Sequence, residues 1–392
     1  MNRTSTVLAV VLLLIWAPLT ALGQRFSPRE GPLATGLQPS QAAPEPVPPV
    51  PQAAKAPQWK SRAEYDAFTA IVKATGPQAK ISAVDAFLAK FPNSDFKPEA
   101  EFFKLQAYQK SNQHTQAIAT AKDILKSNPP DPIKVQALNY LAYVFPYVFK
   151  PGSPNSSAEL TQMESEGKEG LQLLQQVQKP ANVSQEQFEK GVKQVRTNLN
   201  RALGFAALEQ KDDATAITYL KAAAGDDPNG SYIDSFLGQA YLASKPPDYN
   251  DALWYLARGV ALAKAAGTPN LSGMQKLYDQ WYEFRHGSNA GEQSLVAQAD
   301  SSPNPPAGFK VATPPKHAKT GNPAVDAFYS MQDALSVGGN ATQAAWNGYK
   351  GQPLAIIAFV ESVSRGPDPD TWAVRADVLP QDRGRAGIYN LV

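Results

Sequence analysis

The stretch from Arg201 to Pro228, RALGFAALEQKDDATAITYLKAAAGDDP, constrains this chain more than any other. It reads as two amphipathic helices joined at Lys211-Asp212-Asp213, where the acidic side chains can cap the second helix. Leu203 and Gly204 fall on the first helix, while Ala216, Ile217, Leu220 and Ala223 form one apolar stripe on the second. Small residues at Gly204, Ala216 and Ala223 let antiparallel helices approach closely, and Pro228 ends the unit because its ring cannot continue a helix. Packing alone accounts for this spacing, with no ligand required.

The same features return in the same order elsewhere. SYIDSFLGQAYLASKPPDYNDALWYLARGVALA repeats Leu237-Gly238, Tyr241, Ala252-Leu253, Leu256 and Gly259, with a longer turn from Lys245 to Tyr249. An earlier copy, PEAEFFKLQAYQKSNQHTQAIATAKDILKSNPP, supplies Tyr108, Ala117-Ile118, Ala121 and Pro129, but has Leu105 in place of glycine. Ala63 to Pro92 looks like a degenerate first pair, and Ile133 to Pro180 like a pair interrupted by a loop at Lys150 to Ser157. Asn270 to Arg285 is expected as a capping helix that closes the stack.

These in-order matches resemble the tetratricopeptide repeat (TPR) family, whose unit of about 34 residues places a Leu-Gly pair on its first helix and Ala, an apolar residue, Ala and Pro on its second. The Phe-Pro-Asn-Ser ending of the first pair also resembles repeats of envelope assembly factors. The resemblance implies a mainly α fold, an α-solenoid of TPR-like helix pairs over 59–286. In that family the concave surface, lined by the first helix of each pair, grips peptides. Carried over by position, the partner-binding residues would be Phe102, Gln106 and Gln109, then Asn198, Arg201 and Phe205, then Tyr232, Ser235 and Gln239. The clamp of Lys, Asn and Arg with which some members hold a peptide carboxylate is not assembled here. Packing between repeats is an alternative role for Phe205 and Tyr232, because aromatic residues at helical spacing are usually core.

Chemistry finds few candidates. His114, His286 and His317 lie far apart in sequence without metal-ligand spacing, and no nucleophile elbow, phosphate loop or dinucleotide turn occurs. Zero cysteines remove thiol nucleophiles, disulfides and thiolate zinc sites together. Glu361 interrupts the apolar run AIIAFVESV, but on a strand that alternates faces it can simply point to water. No catalytic residue, cofactor or metal is expected. A formal charge of +2 gives no field to recruit nucleic acid.

The flanks complete the reading. Residues 1–23 read as a secretory signal peptide, with Arg3 ahead of VLAVVLLLIWAPLTAL and a small-residue site ending at Gly23; the alternative is an uncleaved membrane anchor, the one case in which a membrane is expected as a partner. Residues 24–58 are a Pro/Ala-rich tether without the apolar periodicity needed to fold, and 287–322 a Pro-rich linker. Residues 323–392 are expected to form a small C-terminal α+β module, with helices at PAVDAFYSMQDALSV and ATQAAWNGYKG and strands at PLAIIAFVESVS and TWAVRADVL. The expected function is an exported, non-enzymatic scaffold of a bacterial envelope, periplasmic or secreted, that binds a protein or peptide. The alternatives are an envelope enzyme with its chemistry in the C-terminal module and a self-assembling structural protein.

Overall fold

The computed structural model describes residues 58–286, 289–312, 316–337, 347–348, 350–351, 359–365 and 372–377. The signal segment and nearly all of the tether lie outside them. The protein is mainly helical, and its contacts divide it into two compact units, one up to Gln210 together with 225–227 and one made of the rest.

The first unit contains α1 (Arg62–Lys73), α2 (Pro77–Lys90), α3 (Lys97–Lys110), α4 (His114–Lys126), α5 (Asp131–Val148), α6 (Ser156–Leu174) and α7 (Gln185–Glu209). Each packs on the next along the chain, and α7 also packs on α5. This packing is consistent with an α-solenoid. The N-terminal core is aromatic: Trp59 stacks on Phe96 with centroids 3.6 Å apart, and Phe68 meets Phe87 and Phe103 edge-on. Phe68, Phe87, Phe96 and Phe103 are fully buried, and at roughly 1.5–3 kcal/mol each they anchor this end. The boundaries follow local chemistry. The Ser61 hydroxyl accepts from the Glu64 N–H to open α1, and Ser184 and Gln187 form a reciprocal capping box that opens α7. That box starts α7 sixteen residues before Arg201, where the sequence stretch read as a helix pair begins, along a polar stretch with little apolar periodicity.

The second unit holds α8 (Asp213–Asp226) as far as Ala224, α9 (Ser231–Ala243), α10 (Tyr249–Ala266), α11 (Leu271–His286), α12 (Glu292–Asp300) and α13 (Pro323–Val337). Here α10 packs on α9, α11 and α12. The helices α9 and α10 approach closely at Gly238, where an added Cβ would lie 2.7 Å from Leu256 Cγ and 2.9 Å from the Ala252 carbonyl oxygen. One of those neighbours is backbone, which cannot swing aside. Gly238→Ala is therefore expected to cost about 1–3 kcal/mol through overpacking, read as a lower denaturation midpoint. Gly225→Ala, with nothing within 4 Å of its added Cβ, should leave the midpoint nearly unchanged.

Two expectations change at the C-terminal end. The stretch read as a Pro-rich linker contains α12, nine residues long, and continues as ordered chain: Phe309 packs against Trp254 at 4.9 Å, and the buried Val311 donates its N–H to Asn250 Oδ1 at 3.0 Å. Capping of α11 therefore does not end the helical packing. The α+β module is not supported as a packed body. Its helix α13 packs on α11, with Phe328 and Tyr329 in a small cluster of their own. β1 (Phe359–Arg365) and β2 (Trp372–Asp377) form an antiparallel hairpin running from Phe359↔Asp377 to Arg365↔Trp372, with a register shift between Val360 and Ser362 at Glu361. Val360 and Val363 stay exposed, so they seal no core. The second expected helix lies mostly outside the described residues, as does the side chain of Glu361.

Candidate functional site

The site is built where α5 meets α7. The sequence of α5, DPIKVQALNYLAYVFPYV, is apolar on nearly every face, as suits a helix packed on α4, α6 and α7 together. α6 seats α7 through glycines one turn apart. An added Cβ at Gly167 would lie 2.8 Å from Leu203 Cγ, and one at Gly170 would lie 2.8 Å from Leu199 Cδ2. With Leu199 and Leu203 committed to α6, the stripe Asn198, Arg201 and Phe205, spaced three and four residues apart, faces α5.

It meets a complementary stripe there. Asn198 Nδ2 donates to Asn139 Oδ1 at 2.9 Å, both residues being buried. One turn on, Arg201 Nη2 donates to the Tyr143 carbonyl at 2.9 Å and Nη1 reaches the Tyr147 hydroxyl at 3.4 Å. Its Cζ sits 5.4 Å from the Tyr143 ring centre and 5.5 Å from that of Tyr147, within cation–π range of both. Phe205 packs edge-on against Phe145 and Phe149 at 6.0 and 5.9 Å. Pro146 lies inside α5 and brings no N–H, so it weakens the helix ladder beside the carbonyl that Arg201 binds.

The electrostatics are unusual for a cation this enclosed. Arg201 is 8% exposed and its Nε is buried without a hydrogen bond. None of the ion pairs among the described residues includes it. An enclosed cation normally sits beside a carboxylate; here two aromatic rings and a backbone carbonyl take that place. Burial pushes the Tyr143 hydroxyl upward in pKa, and Arg201 opposes that shift. The result is a positive charge in a low-dielectric setting behind two half-buried tyrosines. Among the described residues the site brings together no nucleophile–base pair.

The other sequence-nominated residues are distributed differently. Phe102 is core in the first unit, whereas Gln106 and Gln109 on α3 are half-buried. Gln106 lines a small cleft. Tyr232, Ser235 and Gln239 belong to the second unit: Ser235 is buried, with backbone atoms that press close to Gly259, and Gln239 Nε2 donates to the Ser235 carbonyl at 3.2 Å. Tyr232 is half-buried near Phe236. Sequence reasoning missed Asn139, Tyr143 and Tyr147. Their i, i+4, i+8 spacing in IKVQALNYLAYVFPYVF was the available signal, a polar-capable stripe on an otherwise apolar helix.

Among the described residues no three His, Cys, Asp or Glu side chains converge as a metal site, and no helix is long and apolar enough to cross a membrane. His114 approaches the Tyr140 hydroxyl at 3.4 Å, His286 stacks on Tyr282 and His317 pairs with Asp333 at 2.6 Å. No family model matches the chain, and no curated protein or solved structure matches it either.

Proposed function

We propose that the protein is an exported, non-catalytic scaffold of TPR-like helix pairs that holds an acidic peptide segment of a partner protein against Tyr143, Tyr147 and Arg201. The observation that carries this reading is the enclosed Arg201 guanidinium with no carboxylate of the described residues in ion-pair range, held behind two half-buried rings. An acidic side chain docking over those rings would supply the missing counter-charge, and tyrosine supplies contact area at low entropic cost. Support for export comes from the sequence of residues 1–23, and support for the repeat family from the three in-order copies.

The test uses short fluorescent peptides of equal length, acidic, neutral and basic, each with one aromatic residue, titrated against the purified chain. Acidic peptides are expected to bind best. Tyr147→Ala, at a half-buried position, should weaken them about tenfold, and Arg201→Gln should erase the preference for acid. Equal affinity for acidic and basic peptides, or no change with Tyr147→Ala, would reject the assignment.

A further inference from the structure

A concave feature lies in the first unit, away from the α5–α7 seam. It is a cleft of about 170 Å³ between the turn that joins α1 to α2 and the last turns of α3. Ala74, Pro77 and Ala107 form its walls, and Lys80, Gln106 and Lys110 supply its polar groups. Gly76 stands at the mouth with φ +82, a left-handed conformation that favours glycine, and open space where a side chain would be.

The charge of this cleft distinguishes it. On α3, Lys97 pairs with Glu101 at 3.8 Å and Lys104 with Asp85 at 2.6 Å. Lys110 on the same helix and Lys80 on α2 make no ion pair with any described carboxylate, and no acidic residue lines the cleft. Lys80 is half-buried. Its Nζ lies 5.0 Å from the Phe103 ring centre and donates to the Val72 carbonyl at 3.4 Å, contacts that restrain the side chain at the edge of the cleft it lines. Burial lowers the pKa of this ammonium, and the charge of Lys110 lowers it further. Two like charges on the lining of one small cleft repel each other, and a species with two negative charges can offset both. A carboxylate offsets one of them; a phosphate dianion offsets both and has acceptor oxygens left for the Gln106 amide.

From this geometry we infer that the Lys80–Gln106–Lys110 cleft is a binding site for a phosphate group. Lysine serves phosphate as a compact point charge, and the cleft is large enough for one tetrahedral oxyanion. The group can be free phosphate or can belong to a phosphorylated side chain.

The experiment is calorimetric titration of the full chain with inorganic phosphate at pH 7.5 and constant ionic strength, with acetate as the monoanionic comparison. Saturable binding of phosphate is expected, about tenfold tighter than acetate. Lys110 is exposed, so Lys110→Gln should keep the wild-type circular dichroism spectrum while weakening phosphate about tenfold. Lys104→Gln, on the same helix outside the cleft, should bind as wild type. Phosphate no tighter than acetate, or equal phosphate affinity in wild type and Lys110→Gln, overturns the inference. A phosphoserine peptide titrated against the same two proteins identifies the source: a phosphorylated side chain if Lys110→Gln weakens its binding, and free phosphate if it does not. Phosphatidic acid vesicles serve as the control, and Lys110-dependent binding to them in place of the peptide would overturn the assignment to a phosphorylated side chain.

Discussion

Replacing Arg258 with alanine is expected to destabilise the second unit by about 3–5 kcal/mol, the scale for breaking a buried ion pair from one side. Arg258 and Asp234 side chains are 5% and 4% exposed, with Nε 3.3 Å from Oδ2. The guanidinium also closes the C-terminal end of α12. Its Nη1 shares its two hydrogens among the carbonyls of Ala299 at 2.7 Å, Asp300 at 3.1 Å and, just past the helix, Ser302 at 3.0 Å; the first two belong to the last turn, whose carbonyls lack i+4 donors. Nη2 donates to the carbonyl of Pro228 at 2.8 Å. One side chain therefore ties α10 to α12 and to the turn before α9, and places positive charge at a helix C-terminus. Urea denaturation reads the loss, and Arg258→Lys should recover less than half of it, because an ammonium lacks the planar fork that reaches both sides. A loss below about 1 kcal/mol would mean that these bonds are replaceable by water.

The second large effect is on pH dependence in the first unit. Glu99 is 1% exposed, and burial pushes its carboxyl from an ordinary 4.5 up to about 7. Between those values the folded chain holds a proton that the unfolded chain has lost, so stability falls as pH rises through this window. The full traverse from below 4.5 to above 7 is worth about 3 kcal/mol, at 1.36 kcal/mol for each pKa unit. Burial shifts Glu101, Glu166 and Glu209 in the same direction, which reinforces the slope. Denaturation midpoints measured from pH 5 to 8 are expected to decline. In Glu99→Gln, whose amide does not titrate, the decline should flatten by roughly the Glu99 share. A midpoint that rises over this range, or an unchanged slope in Glu99→Gln, would contradict the assignment.

Much of the helical layout is legible in the sequence because it depends on local chemistry. The turn expected at Lys211 to Asp213 lies between α7, which ends at Glu209, and α8, which starts at Asp213. Asp248 accepts from the N–H groups of Asn250 and Asp251 at the start of α10, as an acidic residue at a helix entry should. Gly238 and Gly259, both chosen from the repeat spacing, mark close backbone approaches. The misses also have physical causes. Helix α12 sits in a run rich in Ser, Pro and Gly whose short apolar stripe, Leu295 and Ala299, carries little periodic signal. Its stability comes from tertiary partners such as Arg258, which no local window contains. At the candidate site the sequence nominated Asn198, Arg201 and Phe205 from one helix. It did not reveal the helix they would face, because the α5 tyrosines look like core until the register of α5 against α7 is known.

The claim that the α5–α7 tyrosines and Arg201 receive a partner is tested most directly by placing a photoreactive phenylalanine at position 147, and in a second protein at the exposed position 159 on α6. Each protein is irradiated with the acidic peptide that binds the wild type best. The account predicts a cross-link at position 147 that excess unlabelled acidic peptide abolishes, and little or none at position 159. Equal yields at the two positions, or a cross-link at 159 alone, would contradict it.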